Sequence, residues 1–314
     1  MAAPSEAHGL GHQLGPHVVG QRVVVRRVLP GETGPSGGPA MTDLLGVCLA
    51  WGGGSCVIAP ESGEPVEIRL ADIVSGKPVP PRPSPRLRVS PRAAEEHTRW
   101  LWPHLEVEPL GEWQLRSDPA PVGRPRKRAN SCLAFGDPGA SLDEALARVE
   151  AFYSARDREV VVQVPLGGEV ESALVDRDWG VVPGGDAHFL LASLPRALRA
   201  ARRRAAEADP RGAAPSDAVL EEDGDLVTVR LGDVAAGRAA FHDDWLGLHG
   251  LAVDPAYRRR GLATALVADL LEWGAERGAT TAWLHVEVDN SPALALYDAL
   301  GFTRHHTCRY LVPG

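Results

Sequence analysis

The sequence has few cysteines and almost no lysine, and both shortages limit what the protein can be. Its 314 residues include four cysteines, which are scattered and form no C-x-x-C pair. That pattern argues against a zinc site and a disulfide framework, and it suits a reducing compartment. We therefore predict a cytoplasmic protein without a bound metal. Lys77 and Lys127 are the only lysines, so arginine carries nearly all of the positive charge.

Two further absences exclude whole classes of protein. No apolar run approaches the ~20 residues of a membrane span. The N-terminal MAAPSEAHGLGHQLGPH lacks the basic region and apolar core of a secretory signal. The net charge of −8 argues against nucleic-acid binding, because holding phosphates needs a basic field. With 44% hydrophobic and 24% charged residues, the composition is that of a globular protein of two or three domains.

The first quarter of the chain has the pattern of a small β domain. Residues 1–15 are rich in Gly, His and Pro, and we predict a disordered leader there. Residues 16–80 contain short, β-branched, partly alternating runs separated by Gly/Pro turns. This pattern predicts a small closed barrel, because closure removes exposed strand edges. Residues 81–92 are predicted to form an extended, proline-stiffened linker.

From residue 93 onwards, strand and helix patterns alternate, which predicts a layered α/β sheet. Residues 93–193 and 217–314 each give strand, Asp-Pro, helix, strand, helix, strand, and we interpret them as an internal structural repeat. Residues 194–216 join the two copies as a helix and a linker. In the first copy, Ser141 and Glu144 form a predicted capping box at the start of SLDEALARVEAFYSA.

The second copy carries AYRRRGLA where the first has only GAS. A helix is predicted to begin near Gly261, and its first N–H groups have no partner within the helix and lie at the positive end of its dipole. Small residues at Gly261 and Ala263 allow an anion to approach the backbone, and arginines add bidentate donors. The turn therefore has the residue types of a phosphate-binding site. A solvated, basic start of a helix fits the same residues equally well.

The motifs resemble those of the GNAT superfamily of acyl-CoA-dependent N-acyltransferases. Arg258, Gly261 and Ala263 match its Q/R-x-x-G-x-G/A motif, and NSPALALYDALGF is similar to the family's later Asn, Ala, Tyr, Gly-Phe pattern. The resemblance covers residues 217–314. It implies that acetyl-CoA is the co-substrate and that the acetyl group moves directly to a primary amine on a protein or a small molecule.

The whole chain resembles a narrower group of actinobacterial acetyltransferases, some of them labelled histone-acetyltransferase-like. TDLLGVCLAW, ADIVSGKPVPPRP and RANSCLAFGDPG carry this resemblance. It implies an α+β or α/β architecture, with a small N-terminal SH3-like β-barrel followed by a tandem GNAT mixed sheet. The first GNAT half is degenerate and the second is catalytic.

The resemblance also implies where the cofactor binds. The strand before the motif splays and offers its backbone to the pantetheine arm, the arginine turn holds the pyrophosphate, and an Asn near the next strand end contacts pantetheine. The implied cofactor-binding residues are Leu251, Ala252, Val253, Arg258, Arg259, Arg260, Gly261, Leu262, Ala263, Thr264 and Asn290.

Tyr297 is the candidate general acid, because a phenol within reach can protonate the departing thiolate. Its place on an apolar helix is also that of a core aromatic. The acceptor must attack as a neutral amine, so a base is useful. His249 is the first candidate, since LHGLAV is close to the LHALAV of arylalkylamine acetyltransferases, where the histidine assists deprotonation. Glu287 and the Asp243-Asp244 pair are rivals, although the pair is typical of a hairpin turn.

Several alternatives stay open. A non-catalytic acyl-CoA-binding regulator, with the barrel docking a partner, fits the same motifs. The family's two acceptor-shaping helices have only the short, Ala/Arg-rich residues 194–217 as a counterpart, so the acceptor site is either borrowed from the first copy or open. The basic cluster of Arg124, Arg126, Lys127 and Arg128 is predicted to be a solvated loop. His305 and His306 have no third metal ligand nearby in the sequence.

Overall fold

The computed structural model describes residues 14–34, 37–60, 63–79, 85–119, 127–208 and 218–314. The predicted leader (apart from residues 14 and 15), residues 81–84 of the predicted linker and the 209–217 loop lie outside the described residues. The chain divides into two compact units, Met1–Pro83 and Ser84–Gly314. No helix of the described residues is long and apolar enough to cross a membrane.

The first unit is one antiparallel sheet with the strand order β4-β3-β2-β1-β5. Alternation along the strands places one face in a small core that includes Val23, Val25, Ile58 and Ile68. The strands are β1 (Arg22–Thr33), β2 (Pro39–Gly52), β3 (Ser55–Pro60), β4 (Val66–Arg69) and β5 (Ile73–Pro78).

The predicted closure of this sheet into a barrel is wrong. Across the described residues, the two end strands β4 and β5 do not pair with each other. The four residues of β4 all pair with β3, and a single 3-10 turn at Leu70–Asp72 then takes the chain to the far edge, where β5 pairs with β1. Alternation in a sequence predicts strands and a buried face, but closure depends on how the end strands meet.

The second unit contains six α-helices and twelve strands among its described residues. The helices are α1 (Pro91–Glu96), α2 (Leu142–Ser154), α3 (Glu169–Val175), α4 (Leu194–Ala208), α5 (Leu262–Glu276) and α6 (Ser291–Ala299). The strands are β6 (Glu106–Leu110), β7 (Trp113–Ser117), β8 (Cys132–Leu133), β9 (Val162–Pro165), β10 (Gly180–Val181), β11 (Ala187–Ser193), β12 (Ala218–Asp223), β13 (Leu226–Leu231), β14 (Ala235–His242), β15 (Trp245–Val253), β16 (Thr281–Glu287) and β17 (Thr303–Val312).

The two halves of this unit exchange their last strands. The main sheet runs β12-β13-β14-β15-β16-β11-β17-β9-β8-β7-β6. β11 ends the first half but pairs with β16 of the second, and β17 ends the second half but pairs with β9 of the first. β8 and β9 are parallel, as are β15 and β16, so the predicted repeat appears as two similar halves built into one continuous mixed sheet.

The helices follow their predicted amphipathic patterns closely. Leu262, Leu266, Leu270 and Trp273 form the predicted stripe of α5, and all four are buried against β13–β15 and α4. In α2, the predicted capping box is present with both reciprocal hydrogen bonds. The predicted extended linker is only partly right, because Pro85–Arg88 is a 3-10 turn and α1 begins at Pro91, capped by the Ser90 hydroxyl.

Candidate active site

The two parallel strands at the centre of the second half separate partway along their length. β15 and β16 pair in parallel register as far as Leu248 and Leu284. β15 then continues to Val253 and β16 to Glu287, with no further pairing between them in the part of the chain that the structure describes. We call this opening the strand wedge. Its walls present backbone N–H and C=O groups that need partners from elsewhere.

A β-bulge helps to turn β15 away at the start of the strand wedge. Gly250 and Leu251 together lie opposite the single residue Gly237 of β14, where the pairing register shifts. Gly250 has φ 63°, in the left-handed region that glycine adopts without strain. A bulge of this kind increases the local twist and re-aims the strand. The short LHGLAV stretch therefore contains the glycine, Gly250, that the change in direction of β15 requires.

The arginine turn, residues 258–261, connects the wedge to α5. Arg259 has φ 65° and Gly261, the N-cap of α5, has φ 81°. A left-handed backbone conformation at a non-glycine residue is locally strained, and such strain is often found at functional sites. The Arg258 Nε donates to the Val253 carbonyl at 3.2 Å, and the Arg260 guanidinium lies 5.2 Å from the Tyr257 ring centroid. All three arginines remain exposed.

The N-terminus of α5 has free backbone donors. No side chain of the described residues caps it, and its first turn contains no acidic residue. The first backbone bond of the helix runs from Ala265 N to Gly261 O at 3.0 Å, so the N–H groups of Leu262, Ala263 and Thr264 precede the helical ladder. With the dipole and three arginines, this helix end has the geometry that binds an anion.

The corresponding end of α2 in the first half is closed to anions. The Ser141 hydroxyl accepts from the Glu144 N–H, and the Glu144 carboxylate accepts from the Ser141 N–H and hydroxyl. These hydrogen bonds to Ser141 lower the pKa of Glu144, so a negative charge already occupies this end. Asp143 adds a second acidic residue in the same turn. The two copies, predicted to differ in sequence at this turn, therefore also differ in whether the start of the helix has donors free for an anion.

A cavity of about 700 Å³ opens where the strand wedge begins, and both halves line it. The second half contributes one wall from β15 and one from β16. The first half contributes the chain after α1, the loop before β8 and the loop after β10. The lining residues are Leu101, Trp102, Lys127, Arg128, Val182, Pro183, Gly184, Leu248, His249, Gly250, His285 and Glu287.

The two base candidates both line this cavity, His249 from β15 and Glu287 from β16. His249 lies against the Trp102 ring, with 6.2 Å between ring centroids. The Glu287 carboxylate is 3.7 Å from the Lys127 ammonium, which also donates to the Gly185 carbonyl at 2.8 Å. Asp243 and Asp244 form the β14–β15 hairpin turn, as predicted, and are not among the residues that line the cavity.

The basic cluster differs from its prediction as a solvated loop. Lys127 and Arg128 are half-buried and form part of the cavity wall. Lys127 also lies 5.0 Å from the Tyr310 ring centroid, in a cation–π arrangement. The other two members, Arg124 and Arg126, lie outside the described residues. The sequence shows the positive charge of this segment. It does not show the contacts of Lys127 with the Glu287 carboxylate and the Tyr310 ring, which are distant in the chain.

Asn290 and Tyr297 lie at opposite ends of α6. Asn290 is the N-cap, and its side-chain oxygen accepts from the Ala293 N–H at 3.2 Å. Its amide nitrogen is therefore the group left to donate to a ligand. Tyr297 is only 7% exposed and packs edge-on against Phe302. Burial raises the pKa of Tyr297 to about 12, so its phenol keeps its proton at neutral pH.

A buried polar cluster beside the cavity was missed by the sequence prediction. The Glu95 carboxylate of α1 is fully buried and lies 2.7 Å from His285 Nε2 and 3.1 Å from His306 Nε2. The Cys308 thiol donates to the same oxygen at 3.1 Å. Burial alone would raise the pKa of Glu95, but His285 and His306 together hold it well below its usual range. Burial lowers the pKa of His285, which also lines the cavity, to about 4.

A mixed sheet that opens between two parallel strands, with an uncapped, arginine-flanked helix at the opening, is the arrangement of the GNAT class of acyl-CoA-dependent acyltransferases. A GCN5-related N-acetyltransferase from Kribbella flavida shares this fold, with a TM-score of 0.51 and 20% identity over 71% of this chain and 95% of that one. The chain belongs to the family described as "Probable histone acetyltransferase Rv0428c C-terminal", whose model matches residues 90–311.

Curated relatives agree with this assignment. The probable histone acetyltransferase Rv0428c of Mycobacterium tuberculosis is 29% identical over 313 residues, covering 93% of this chain and 95% of the relative. The ribosomal protein bS18 alanine N-acetyltransferase of Escherichia coli is 47% identical over 66 residues. That match spans 21% of this chain and 45% of the relative. The protein is thus an acetyltransferase of the GNAT type, as predicted.

Proposed function

We propose that this protein transfers an acetyl group from acetyl-CoA to a primary amine by direct attack within a ternary complex. The observation that carries the proposal is the strand wedge next to the uncapped, arginine-flanked N-terminus of α5. The matching helix of the first half is closed by its own carboxylate at Glu144. One molecule of acetyl-CoA should therefore bind per chain, in the second half.

The cofactor's charge suits this path. Its pyrophosphate would accept from the N–H groups of residues 262–264, with Arg258, Arg259 and Arg260 around it. Its pantetheine arm would extend along Leu251, Ala252 and Val253, on the side of β15 that does not pair with β14. The amide nitrogen of Asn290 would donate to the arm from the β16 side.

The cavity would hold the acceptor amine. A lysine-like ammonium has a pKa of about 10.4, so its neutralisation at pH 7 costs roughly 4–5 kcal/mol. His249 and Glu287 are the candidates for the base that takes this proton. The nitrogen then attacks the thioester carbonyl, the C–N bond forms and the C–S bond breaks. Tyr297, protonated at neutral pH, would donate to the departing thiolate.

An acyl-enzyme intermediate is not expected. All four cysteines are described and buried, and none of them is among the described residues that line the cavity or form the arginine turn. We also propose that the protein works in the cytoplasm, in keeping with four free cysteines. The open five-stranded sheet of the first unit would dock a partner.

The first half supplies part of the cavity wall. The proposed acceptor is a protein or peptide amine, and the name of the Escherichia coli relative suggests an N-terminal amine as one test substrate. The experiment is a thioester-consumption assay with a panel of free lysine-like amines, lysine peptides and N-terminal peptides. We expect sequential kinetics and turnover with at least one peptide. Turnover confined to small amines contradicts the peptide assignment. Binding of acetyl-CoA without turnover of any amine favours the regulatory binder instead.

A further inference from the structure

The buried cluster beside the cavity gathers the types of atom that bind transition metals. Glu95 Oε1, His306 Nε2 and Cys308 Sγ all lie within 4.8 Å of one another. Glu95 and Cys308 are buried, and the His306 side chain is only 8% exposed. Glu95 belongs to α1. His306 and Cys308 belong to β17 and follow Glu95 by 211 and 213 residues.

We propose that Glu95, His306 and Cys308 bind a divalent transition-metal ion of the zinc class. Tetrahedral zinc with oxygen, nitrogen and sulfur ligands at about 2.0–2.3 Å separates the ligand atoms by roughly 3.3–3.6 Å. The carboxylate oxygen is 3.1 Å from both the imidazole nitrogen and the sulfur. The imidazole nitrogen and the sulfur lie within 4.8 Å of each other, so the three atoms are arranged like one face of a zinc tetrahedron.

The charge balance of the cluster supports a divalent ion. A carboxylate and a thiolate carry two negative charges, which a divalent cation neutralises in a site closed to water. The same carboxylate without a metal is a fully buried anion that depends on histidine and thiol protons, and burying such a charge is costly unless it is fully paired. Thr98 donates to the second Glu95 oxygen at 3.2 Å, so that oxygen is already held.

The histidine hydrogen bonds point the same way. His306 Nδ1 lies 2.7 Å from His305 Nδ1, and His305 Nε2 lies 2.7 Å from the Val89 carbonyl. With a metal on its Nε2, a neutral His306 donates from Nδ1 to His305, which then donates from Nε2 to Val89. Metal-bound histidines usually have such an outer partner.

The ion would fasten α1 to β17 and so support the cavity. The chain that follows α1 supplies Leu101 and Trp102 to the cavity wall, and His285, hydrogen-bonded to Glu95, lines the cavity as well. The role we infer is therefore structural support for the acceptor side of the site. The sequence predicts no metal, because its ligands are too far apart in the chain to form a recognisable motif.

The test uses the full chain without a histidine tag. Purified protein is analysed for metals by mass spectrometry, and a chelator-treated sample is titrated with Co²⁺. We expect about one equivalent of zinc per chain and a thiolate-to-cobalt charge-transfer band. Both should be lost in Cys308→Ser and kept in Cys132→Ser, a matched change of another buried free cysteine.

Two further variants make the outcome decisive. Glu95→Gln should lower the zinc content to less than about a tenth of an equivalent. A variant with His8, His12 and His17 all changed to Ala should keep the metal, since the site does not include these N-terminal histidines. Wild-type protein with neither zinc nor a cobalt band overturns the proposal and leaves a hydrogen-bonded network. Metal that is lost only when these three N-terminal histidines are changed also overturns it.

Discussion

Tyr297 has a structural position in the core and is proposed to have a chemical role as well. Its ring is part of the core with Phe302, and burial raises the pKa of its phenol to about 12. A core position does not rule out catalysis, because a protonated, fixed phenol is what a departing thiolate needs. The two interpretations of Tyr297 left open by the sequence are therefore compatible.

Replacing Tyr297 with Phe removes the hydroxyl and keeps the ring. We expect kcat to fall by about 10²- to 10⁴-fold, because the leaving thiolate loses its proton donor, while the Kd for acetyl-CoA stays the same. Steady-state kinetics and calorimetry measure the two quantities. The control is Tyr310→Phe, which removes another buried hydroxyl that has no hydrogen-bond partner in the described residues. An unchanged kcat in Tyr297→Phe would assign the residue to packing alone.

At the residue scale, the sequence predicts motifs better than clusters. Arg258, Gly261 and Asn290 lie where their pattern predicts, because each belongs to a turn or cap with local rules. Glu95 and His285 gave no such signal. They meet only because α1 packs on the sheet, and no local period encodes a contact between residues 190 positions apart.

At the scale of elements, the ends of α2 and α5 distinguish the two halves. α2 starts with a capping box and two acidic residues, whereas α5 starts with a bare glycine after three arginines. The first arrangement stabilises its helix, and the second leaves donors for a ligand. Both ends could be predicted from sequence, since caps depend on residues three or four apart. Strands β6, β7 and β12 and helix α1 could not, because they are short and take their stability from neighbours.

The capping box of α2 should contribute measurably to stability. Ser141→Ala removes the hydroxyl that accepts from the Glu144 N–H, and we expect the free energy of unfolding to drop by about 1 kcal/mol. Ser154→Ala, an exposed change at the other end of the same helix, is the matched control and should have a smaller effect. Denaturant titration of both variants measures the difference. Equal values for the two would show that the cap does not stabilise the fold.

At the scale of the whole molecule, the strand exchange joins the two halves. β16 and β17 of the second half do not pair with each other, because β11 of the first half lies between them. The predicted repeat was visible in the sequence as two similar successions of elements. The exchange was not, since the same succession also fits two separate sheets. Barrel closure in the first unit was mispredicted for the same reason, because pairing between distant strands leaves no local pattern.

The exchange predicts that neither half folds alone. Expressed separately, fragment 1–208 lacks the strands that pair with β11, and fragment 209–314 lacks the β11 that lies between β16 and β17. The 209–314 fragment should therefore give a poorly dispersed NMR spectrum. Co-expressed, the two fragments should copurify and bind acetyl-CoA. The break falls in a stretch outside the described residues, so no observed pairing is cut. A well-dispersed spectrum from 209–314 alone would contradict the exchanged sheet.

The most direct test of the central claim is calorimetric titration of acetyl-CoA into the wild type, Gly261→Asp and Gly278→Asp. Both glycines have positive φ, 81° and 88°, and they lie at opposite ends of α5, so the two variants add the same strain and charge to one helix. We predict one site in the wild type, near-wild-type affinity in Gly278→Asp, and a loss of at least about tenfold, or 1.4 kcal/mol, in Gly261→Asp. Equal affinities in all three proteins would contradict the assignment of the cofactor to the arginine turn.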